Sequence, residues 1–182
     1  MLKSFLHRYT RGFARRYNYD ATYMHEMADI APAAFVRFAV MQLAGGNWRA
    51  DAPLKPWCAA GIAGALVEDC GPCVQIASDM AVEAGMPGDI IAALLSGKPT
   101  DADAQLGFDY GRALLNAAPE LDDLREQIEK KWGKRILLAI SLRTLSARNF
   151  PVLKRALGHA KSCQRVRIGN ADVAVSPMLK AA

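Results

Sequence analysis

Helical spacing of apolar residues runs through nearly all of this 182-residue chain, and it restricts the fold more than any other feature. In the segment 70–84, for example, apolar residues recur at positions i, i+3, i+4 and i+7, which form one face of a helix. Glycine and proline divide the rest of the chain into further segments of this kind. Because no strands alternate with these segments, the pattern predicts an all-α bundle of about eight helices rather than an α/β sheet.

Glycine and proline also predict where the individual helices end. Gly85 and Pro87 separate two of them, and Thr100 or Asp101 provides an N-cap for a third. We expect helices at about 1–18, 23–43, 57–68, 70–84, 88–95, 101–117, 119–132, 134–148 and 151–159. In the tail 163–182, valine and isoleucine alternate on either side of Gly169-Asn170, a pattern that fits either a short hairpin or a flexible extension.

Basic residues lie at both ends of the chain and acidic residues in its middle. The net charge of +5 divides into +4 over residues 1–50, −10 over 51–129 and +11 over 130–182. Opposite signs can neutralise each other within one chain or an oligomer, so we do not predict nucleic-acid binding.

The basic N-terminus resembles a transit peptide superficially, but we interpret it as an amphipathic surface helix. Apolar runs shorter than ~20 residues predict a soluble single domain (1–182) with no membrane partner. No long apolar region followed by a small-residue cleavage site is present, so we expect a cytoplasmic protein.

The pattern with a distinct chemistry is Cys70-Gly71-Pro72-Cys73, at the predicted start of a helix. Cysteines at i and i+3 lie on one helical turn, close enough for an intramolecular disulfide. The helix N-terminus favours the thiolate of the first cysteine, because free backbone N–H groups point at its sulfur. Asp69, just before the motif, is the expected N-cap. A redox pair is the leading interpretation; the alternatives are two inert buried thiols or half of a zinc site, with Cys58 and Cys163 as further ligands.

The residues after the cysteine pair extend this pattern into an Ala-x-x-x-Gly helix end and a short acidic-then-aliphatic helix. They are Glu68-Asp69-Cys70-Gly71-Pro72-Cys73, Ala81, Glu83, Ala84, Gly85, Met86, Pro87 and the helix at 90–95. Together they resemble the carboxymuconolactone decarboxylase superfamily, and within it the alkylhydroperoxidase D-like branch. The resemblance covers about residues 55–160 and leaves outside it the basic N-terminal extension (1–50) and the C-terminal tail (163–182).

The resemblance implies a homo-oligomeric thiol oxidoreductase, a trimer or a hexamer, that reduces hydroperoxides. It makes Cys73 the thiolate that attacks the peroxide and Cys70 the more accessible, resolving cysteine, although helix position by itself favours activation of Cys70. A dithiol, either small or carried by a partner protein, then reduces the disulfide. The resemblance implies no organic cofactor and no metal.

The chain departs from that branch at its proton relay. The branch has a histidine four residues after the second cysteine and a glutamate about twelve residues before the first, where this chain has Ala77 and Cys58. Glu68 is the nearest substitute as a general base, with a solvated surface acid as the alternative interpretation. His25 is a further candidate to reach the thiols from another helix. Without the relay, the alternative function is a non-catalytic or differently catalytic member of the superfamily, acting as a helical binding or assembly module.

Overall fold

The computed structural model describes residues 1–159 and 165–179, which contain nine α-helices and a two-stranded antiparallel sheet. The prediction of an all-α bundle is confirmed. The helices are α1 (Leu2–Arg16), α2 (Thr22–Ile30), α3 (Pro32–Gly46), α4 (Leu54–Val67), α5 (Gly71–Glu83), α6 (Gly88–Leu95), α7 (Ala102–Asn116), α8 (Leu121–Trp132) and α9 (Lys134–Ala156). The strands are β1 (Arg165–Ile168) and β2 (Ala171–Ala174), and a short 3-10 turn follows at Pro177–Leu179.

Helix α4 lies at the centre of the bundle and is buried along almost its whole length. Its neighbours approach so closely that glycine is required where they cross. In α7, a Cβ atom on Gly107 would lie 2.6 Å from the Cα atom of Pro56. On the opposite side, a Cβ atom on Gly64 would lie 2.5 Å from the carbonyl oxygen of Thr144 in α9. These crossings fix α4 between α7 and α9, and its C-terminal end leads directly to the cysteine pair.

The segment that we expected as one helix over 23–43 forms two helices, α2 and α3. Pro32 causes the break, because it has no N–H group to continue the helix and it disfavours helical geometry in the residue before it. That residue, Ala31, accordingly has an extended φ of −149°. Pro32 then begins α3 at a position where its missing N–H group has no helical partner to lose.

The segments that we expected as separate helices at 134–148 and 151–159 form one continuous helix, α9, with Pro151 inside it. Proline interrupts one backbone hydrogen bond in such a position, so another interaction has to maintain the helix. Pro151 is buried, and the adjacent Phe150 packs edge-on against Phe38 with ring centroids 4.9 Å apart. Packing against α3 therefore outweighs the tendency of proline to break a helix.

The N-terminal helices α1–α3 form a second apolar cluster beside the main core. Aromatic rings dominate this cluster, and Tyr19 lies edge-on to both Phe13 and Tyr23. Lys154 of α9 reaches the same cluster, where its Nζ atom lies 4.6 Å from the centroid of the Tyr19 ring. The basic N-terminal segment is thus an amphipathic helix that buries Leu6, and Phe150 of α9 packs against the cluster to which Leu6 belongs.

The C-terminal hairpin packs against α5 and α6. Its turn contains Gly169, which has a left-handed φ of 59°, and Val166 on β1 is buried in the main core. The Gln75 side chain of α5 donates to the Arg167 carbonyl at 2.7 Å and accepts from the Arg167 N–H group at 2.7 Å. Of the two structures that the tail pattern allowed, the hairpin is present; Cys163 lies outside the described residues.

Ion pairs join the basic ends of the chain to its acidic middle, as the charge distribution allowed. Arg16 Nη2 lies 3.0 Å from Glu83 Oε2, and Lys131 pairs with Asp103.

Within the described part of the chain, α9 is the one helix whose length and composition would suit a membrane span. Core helices of soluble proteins can meet the same criterion, and α9 packs against α4. The length and composition of α9 therefore do not decide whether the protein has a membrane partner, and the absence of such a partner stays a prediction.

Candidate functional site

The cysteine pair lies at the junction between α4 and α5. Cys70 is the N-cap of α5, with φ −103° and ψ 95°, and Cys73 lies in the first helical turn. The Cys70 carbonyl accepts hydrogen bonds from the N–H groups of Cys73 at 3.0 Å and Val74 at 2.9 Å. The two sulfur atoms are joined in a disulfide, and the Cα atoms are 5.3 Å apart. The pair can therefore adopt the oxidised state that a dithiol cycle requires.

A tight turn between the two helices sets the direction of the pair. Glu68 is the C-cap of α4, and the Asp69 N–H group donates to the Leu66 carbonyl at 2.9 Å. Asp69 has a left-handed φ of 47°, which aspartate tolerates better than most residues. The expectation that Asp69 caps α5 is wrong, because this left-handed turn moves the N-cap position on to Cys70.

Both cysteines are buried, and Cys73, unlike Cys70, is among the residues that line one apolar cavity. Cys70 is 2% exposed and Cys73 is 7% exposed, so the expectation that Cys70 is the more accessible is not met. The reason is positional: Cys70 lies in the packed junction of two helices, whereas Cys73 faces a cavity of about 170 Å³. A small molecule at this part of the cavity would lie next to Cys73.

The cavity lies between the N-terminal helices and the helices α5 and α9. Its wall is mainly apolar and contains six aromatic side chains: Tyr9, Phe13, Tyr19, Tyr23, Phe35 and Phe150. Ile76, Ala77 and Met80 continue the wall along α5 beyond Cys73. The N-terminal extension, which lies outside the region of family resemblance, thus supplies much of the surface that faces the cysteine pair.

Glu68 is buried, so the interpretation of it as a solvated surface acid is wrong. Its carboxylate pairs with two arginines of α9 that sequence reasoning did not connect with the site. Arg148 Nε donates to Glu68 Oε1 at 2.9 Å, and Arg155 Nη2 donates to Glu68 Oε2. These bonds hold the carboxylate at the end of α4, two residues before Cys70 in the chain.

The other residues singled out near the pair have different surroundings. Ala77 is buried on the cavity wall, at the position where the resembling branch has its histidine. Cys58 is a buried free thiol whose pKa is raised by burial, an effect that the positive charges of Arg143 and Arg49 oppose. The imidazole of His25 pairs with that of His7, with their Nδ1 atoms 2.7 Å apart.

Two polar residues of the cavity, Arg143 and Gln42, were missed by sequence reasoning. Arg143 comes from α9, and its guanidinium carbon lies 4.4 Å from the centroid of the Trp57 ring. Burial lowers the pKa of this guanidinium, which nevertheless stays a cation at neutral pH. Gln42 comes from α3 and accepts a hydrogen bond from Ser146. The one sequence feature that could have indicated either residue is the position of Arg143, directly after the apolar stretch 136–142.

A zinc site was an alternative interpretation of the cysteine pair. Among residues 1–159 and 165–179, no three or more histidine, cysteine, aspartate or glutamate side chains are grouped so that they could hold a metal ion. Cys163, the fourth cysteine of that alternative, lies outside these residues. The described residues therefore offer no observation in favour of zinc.

Comparison with known proteins adds no family to these observations. No protein-family model matches the chain, and neither a curated protein nor a solved structure matches it. The resemblance to the alkylhydroperoxidase D-like branch therefore depends on the residues around Cys70 and Cys73 and on the all-α fold.

Proposed function

We propose that this protein is a thiol-dependent oxidoreductase that reduces hydroperoxides by cycling Cys70 and Cys73 between dithiol and disulfide. The observation that carries the proposal is the position of the pair. The two cysteines share one helical turn and form a disulfide, and Cys73 lines an apolar cavity. A peroxide at this part of the cavity would lie next to Cys73, with Cys70 at the start of the same helical turn.

The chemistry of the cycle needs the two thiols and an external dithiol. The thiolate of Cys73 attacks the terminal oxygen of the hydroperoxide, the O–O bond breaks, and the departing alkoxide takes a proton to become an alcohol. The resulting sulfenic acid is attacked by Cys70, which forms the disulfide and releases water. The two sulfurs together lose two electrons to the peroxide, and a dithiol returns them by thiol–disulfide exchange.

The cavity supports Cys73 as the attacking cysteine. Cys70 occupies the N-cap of α5, where the helix end favours its thiolate, but its side chain is almost completely buried. Cys73 combines a place in the same first turn with contact to the cavity. Access to peroxide therefore favours Cys73, and the helix end favours Cys70 as the thiolate that resolves the sulfenic acid. The dithiol that reduces the disulfide, either a small molecule or a partner protein, would reach it through Cys73.

We propose Glu68 as the proton acceptor for the Cys70 thiol, directly or through water. The Glu68→Gln variant is then expected to form the disulfide roughly 100-fold more slowly, because an amide cannot take the proton. The rate of disulfide formation with hydrogen peroxide, followed by rapid quenching at neutral pH, measures this.

Glu83→Gln is the matched control for this prediction. Glu83 lies at the other end of α5 and pairs on the surface with Arg16, so its substitution removes an ion pair without touching the cysteines. If Glu68→Gln and Glu83→Gln both keep the wild-type rate, Glu68 is not the base. Its role is then limited to joining α4 to Arg148 and Arg155.

We propose that the chain forms a homo-oligomer, a trimer or a hexamer. Exposed apolar side chains on neighbouring helices support self-association: Val40 of α3 is 57% exposed, and Leu138 of α9 is 52% exposed. Light scattering is expected to give three or six times the chain mass of 19.7 kDa. Replacing Val40 and Leu138 together with aspartate is expected to lower that mass, whereas a monomeric wild type would contradict the proposal.

A second candidate function is a helical binding or assembly module that has kept the fold without the chemistry. The observation that favours it is Ala77, an apolar residue on the cavity wall where the resembling branch has a histidine. Cysteines that do not react with peroxide in the folded protein would favour the module. The predictions of a cytoplasmic protein without nucleic-acid or membrane partners are common to both candidates.

A further inference from the structure

The cavity next to Cys73 has a polar region as well as an apolar wall. Gln42, Asn47, Arg143 and Ser146 contribute to its lining, together with the aromatic and aliphatic side chains of the wall. None of the described residues that line it is an aspartate or a glutamate. Arg143 is half-buried, and an arginine in an apolar cavity whose lining holds no acid lacks the ion-pair partner that normally compensates such a charge.

Arg143 has neither a hydrogen-bond acceptor nor an ion-pair partner among the described residues. Its Nε atom is buried without a hydrogen-bond partner, and its guanidinium carbon lies 4.4 Å from the centroid of the Trp57 ring. Stacking on an indole ring holds the guanidinium in place but does not satisfy its N–H groups. The stacked guanidinium is therefore held at the cavity with N–H groups that no described residue satisfies.

Gln42 provides a second unsatisfied donor on the same cavity. The residue is 6% exposed, and its Oε1 atom accepts from the Ser146 hydroxyl group, which fixes the orientation of the amide. The Nε2 atom on the other side of the amide is buried and has no hydrogen-bond partner within the described residues. A buried N–H group without an acceptor is costly, so an acceptor in the cavity would be bound favourably.

We propose that the cavity binds a small organic hydroperoxide that also carries a carboxylate, with the carboxylate on Arg143 and Gln42. A carboxylate fits because its two oxygens match the planar guanidinium and its single negative charge is balanced by one arginine. A phosphate dianion would leave one charge uncompensated in an apolar site. The aromatic wall takes the hydrocarbon part, and the peroxide group lies toward Cys73.

The size of the cavity limits the ligand. A volume of about 170 Å³ is far below that of a site for a long-chain lipid or a dinucleotide. The cavity is smaller than the roughly 300 to 1,000 Å³ of sites for drug-sized ligands, so it suits a short-chain ligand. This specificity rests on the proposed function, because it names the class of hydroperoxide that the Cys70–Cys73 pair would reduce to the corresponding alcohol and water.

Hexanoate, which cannot be reduced, tests the site without the chemistry. Calorimetric titration of the oxidised protein is expected to detect hexanoate binding, and hexan-1-ol is expected to bind at least ~10-fold more weakly because it has no charge to pair with Arg143. Arg143→Met is expected to remove this preference for the acid. Arg37→Met is the matched control, because Arg37 is an exposed arginine of α3 that does not line the cavity.

A second substitution keeps the test decisive if Arg143→Met does not fold. Gln42→Leu removes the amide donor and leaves the guanidinium, and it is expected to weaken hexanoate binding several-fold without changing the binding of hexan-1-ol. Equal binding of hexanoate and hexan-1-ol by the wild-type protein, or hexanoate binding that is unaffected by either cavity substitution, would overturn the proposal.

Kinetics separate this inference from the proposed function. The KM for 6-hydroperoxyhexanoate is expected to be at least ~10-fold lower than that for 1-hydroperoxyhexane, and Arg143→Met is expected to make the two equal. If hexanoate binds through Arg143 but no hydroperoxide is reduced, the proposed function fails and the carboxylate site stands. If hydroperoxides are reduced with equal KM values and hexanoate does not bind, the carboxylate site fails and the proposed function stands.

Discussion

The Cys73→Ser variant is expected to lose hydroperoxide reduction, with turnover at least ~10³-fold below that of the wild type. A serine hydroxyl group does not ionise near neutral pH, so the cavity would no longer contain a nucleophile for the peroxide. Cys70→Ser is expected to fail differently, because Cys73 can still attack once but no second thiol resolves the product. That variant is expected to accumulate a sulfenic acid at Cys73, which a carbon nucleophile such as dimedone traps.

The measurement is dithiol-dependent consumption of a hydroperoxide, combined with mass spectrometry of dimedone-treated protein. Cys58→Ser is the control, since Cys58 is a buried thiol whose pKa is raised by burial. It is expected to keep the wild-type turnover. Turnover that survives both Cys70→Ser and Cys73→Ser, or that disappears in Cys58→Ser, would place the chemistry elsewhere in the chain.

The Gly107→Ala variant is expected to be strongly destabilised by the addition of a single methyl group. The new Cβ atom would overlap the Pro56 carbonyl oxygen and lie 2.6 Å from the Pro56 Cα atom, and backbone cannot move aside as a flexible side chain can. Forcing α4 and α7 apart is expected to lower the free energy of unfolding by about 2 to 3 kcal/mol. The melting temperature then falls by roughly 5 to 10 °C.

Gly12→Ala is the matched control for this effect. Gly12 lies within α1 and is exposed, and a Cβ atom there would have no neighbour within 4 Å. The same substitution is expected to raise the free energy of unfolding by up to ~1 kcal/mol, because alanine favours the helix more than glycine does. Thermal unfolding followed by circular dichroism measures both variants. Equal stability of Gly107→Ala and the wild type would show that α4 and α7 do not cross at this point.

The helical fold was predictable from sequence because its signals are local. Apolar periodicity identified the helices, and the short helix α6 has the predicted bounds, Gly88–Leu95. The errors came from prolines, whose effect depends on tertiary packing. Pro32 separates two helices where one was expected, whereas Pro151 lies inside a continuous helix that packing against α3 stabilises.

The candidate site was predictable only in part, and for the same reason. The cysteine pair could be found because its spacing along one helical turn is a property of the local sequence. The partners of Glu68 lie 80 and 87 residues away in the chain, at Arg148 and Arg155, and no local pattern connects them with it. The cavity combines Gln42 of α3 with Arg143 of α9, so it exists only when these helices have packed.

Intact mass and thiol titration after limited exposure to hydrogen peroxide test the redox pair most directly. The folded, reduced wild type is expected to lose two hydrogen atoms and two titratable thiols, and a dithiol is expected to restore both. Cys70→Ser and Cys73→Ser are expected to show no such reversible loss of hydrogen. A wild-type protein in which both cysteines stay reduced under peroxide, and react with an alkylating reagent only after denaturation, would contradict a Cys70–Cys73 redox cycle.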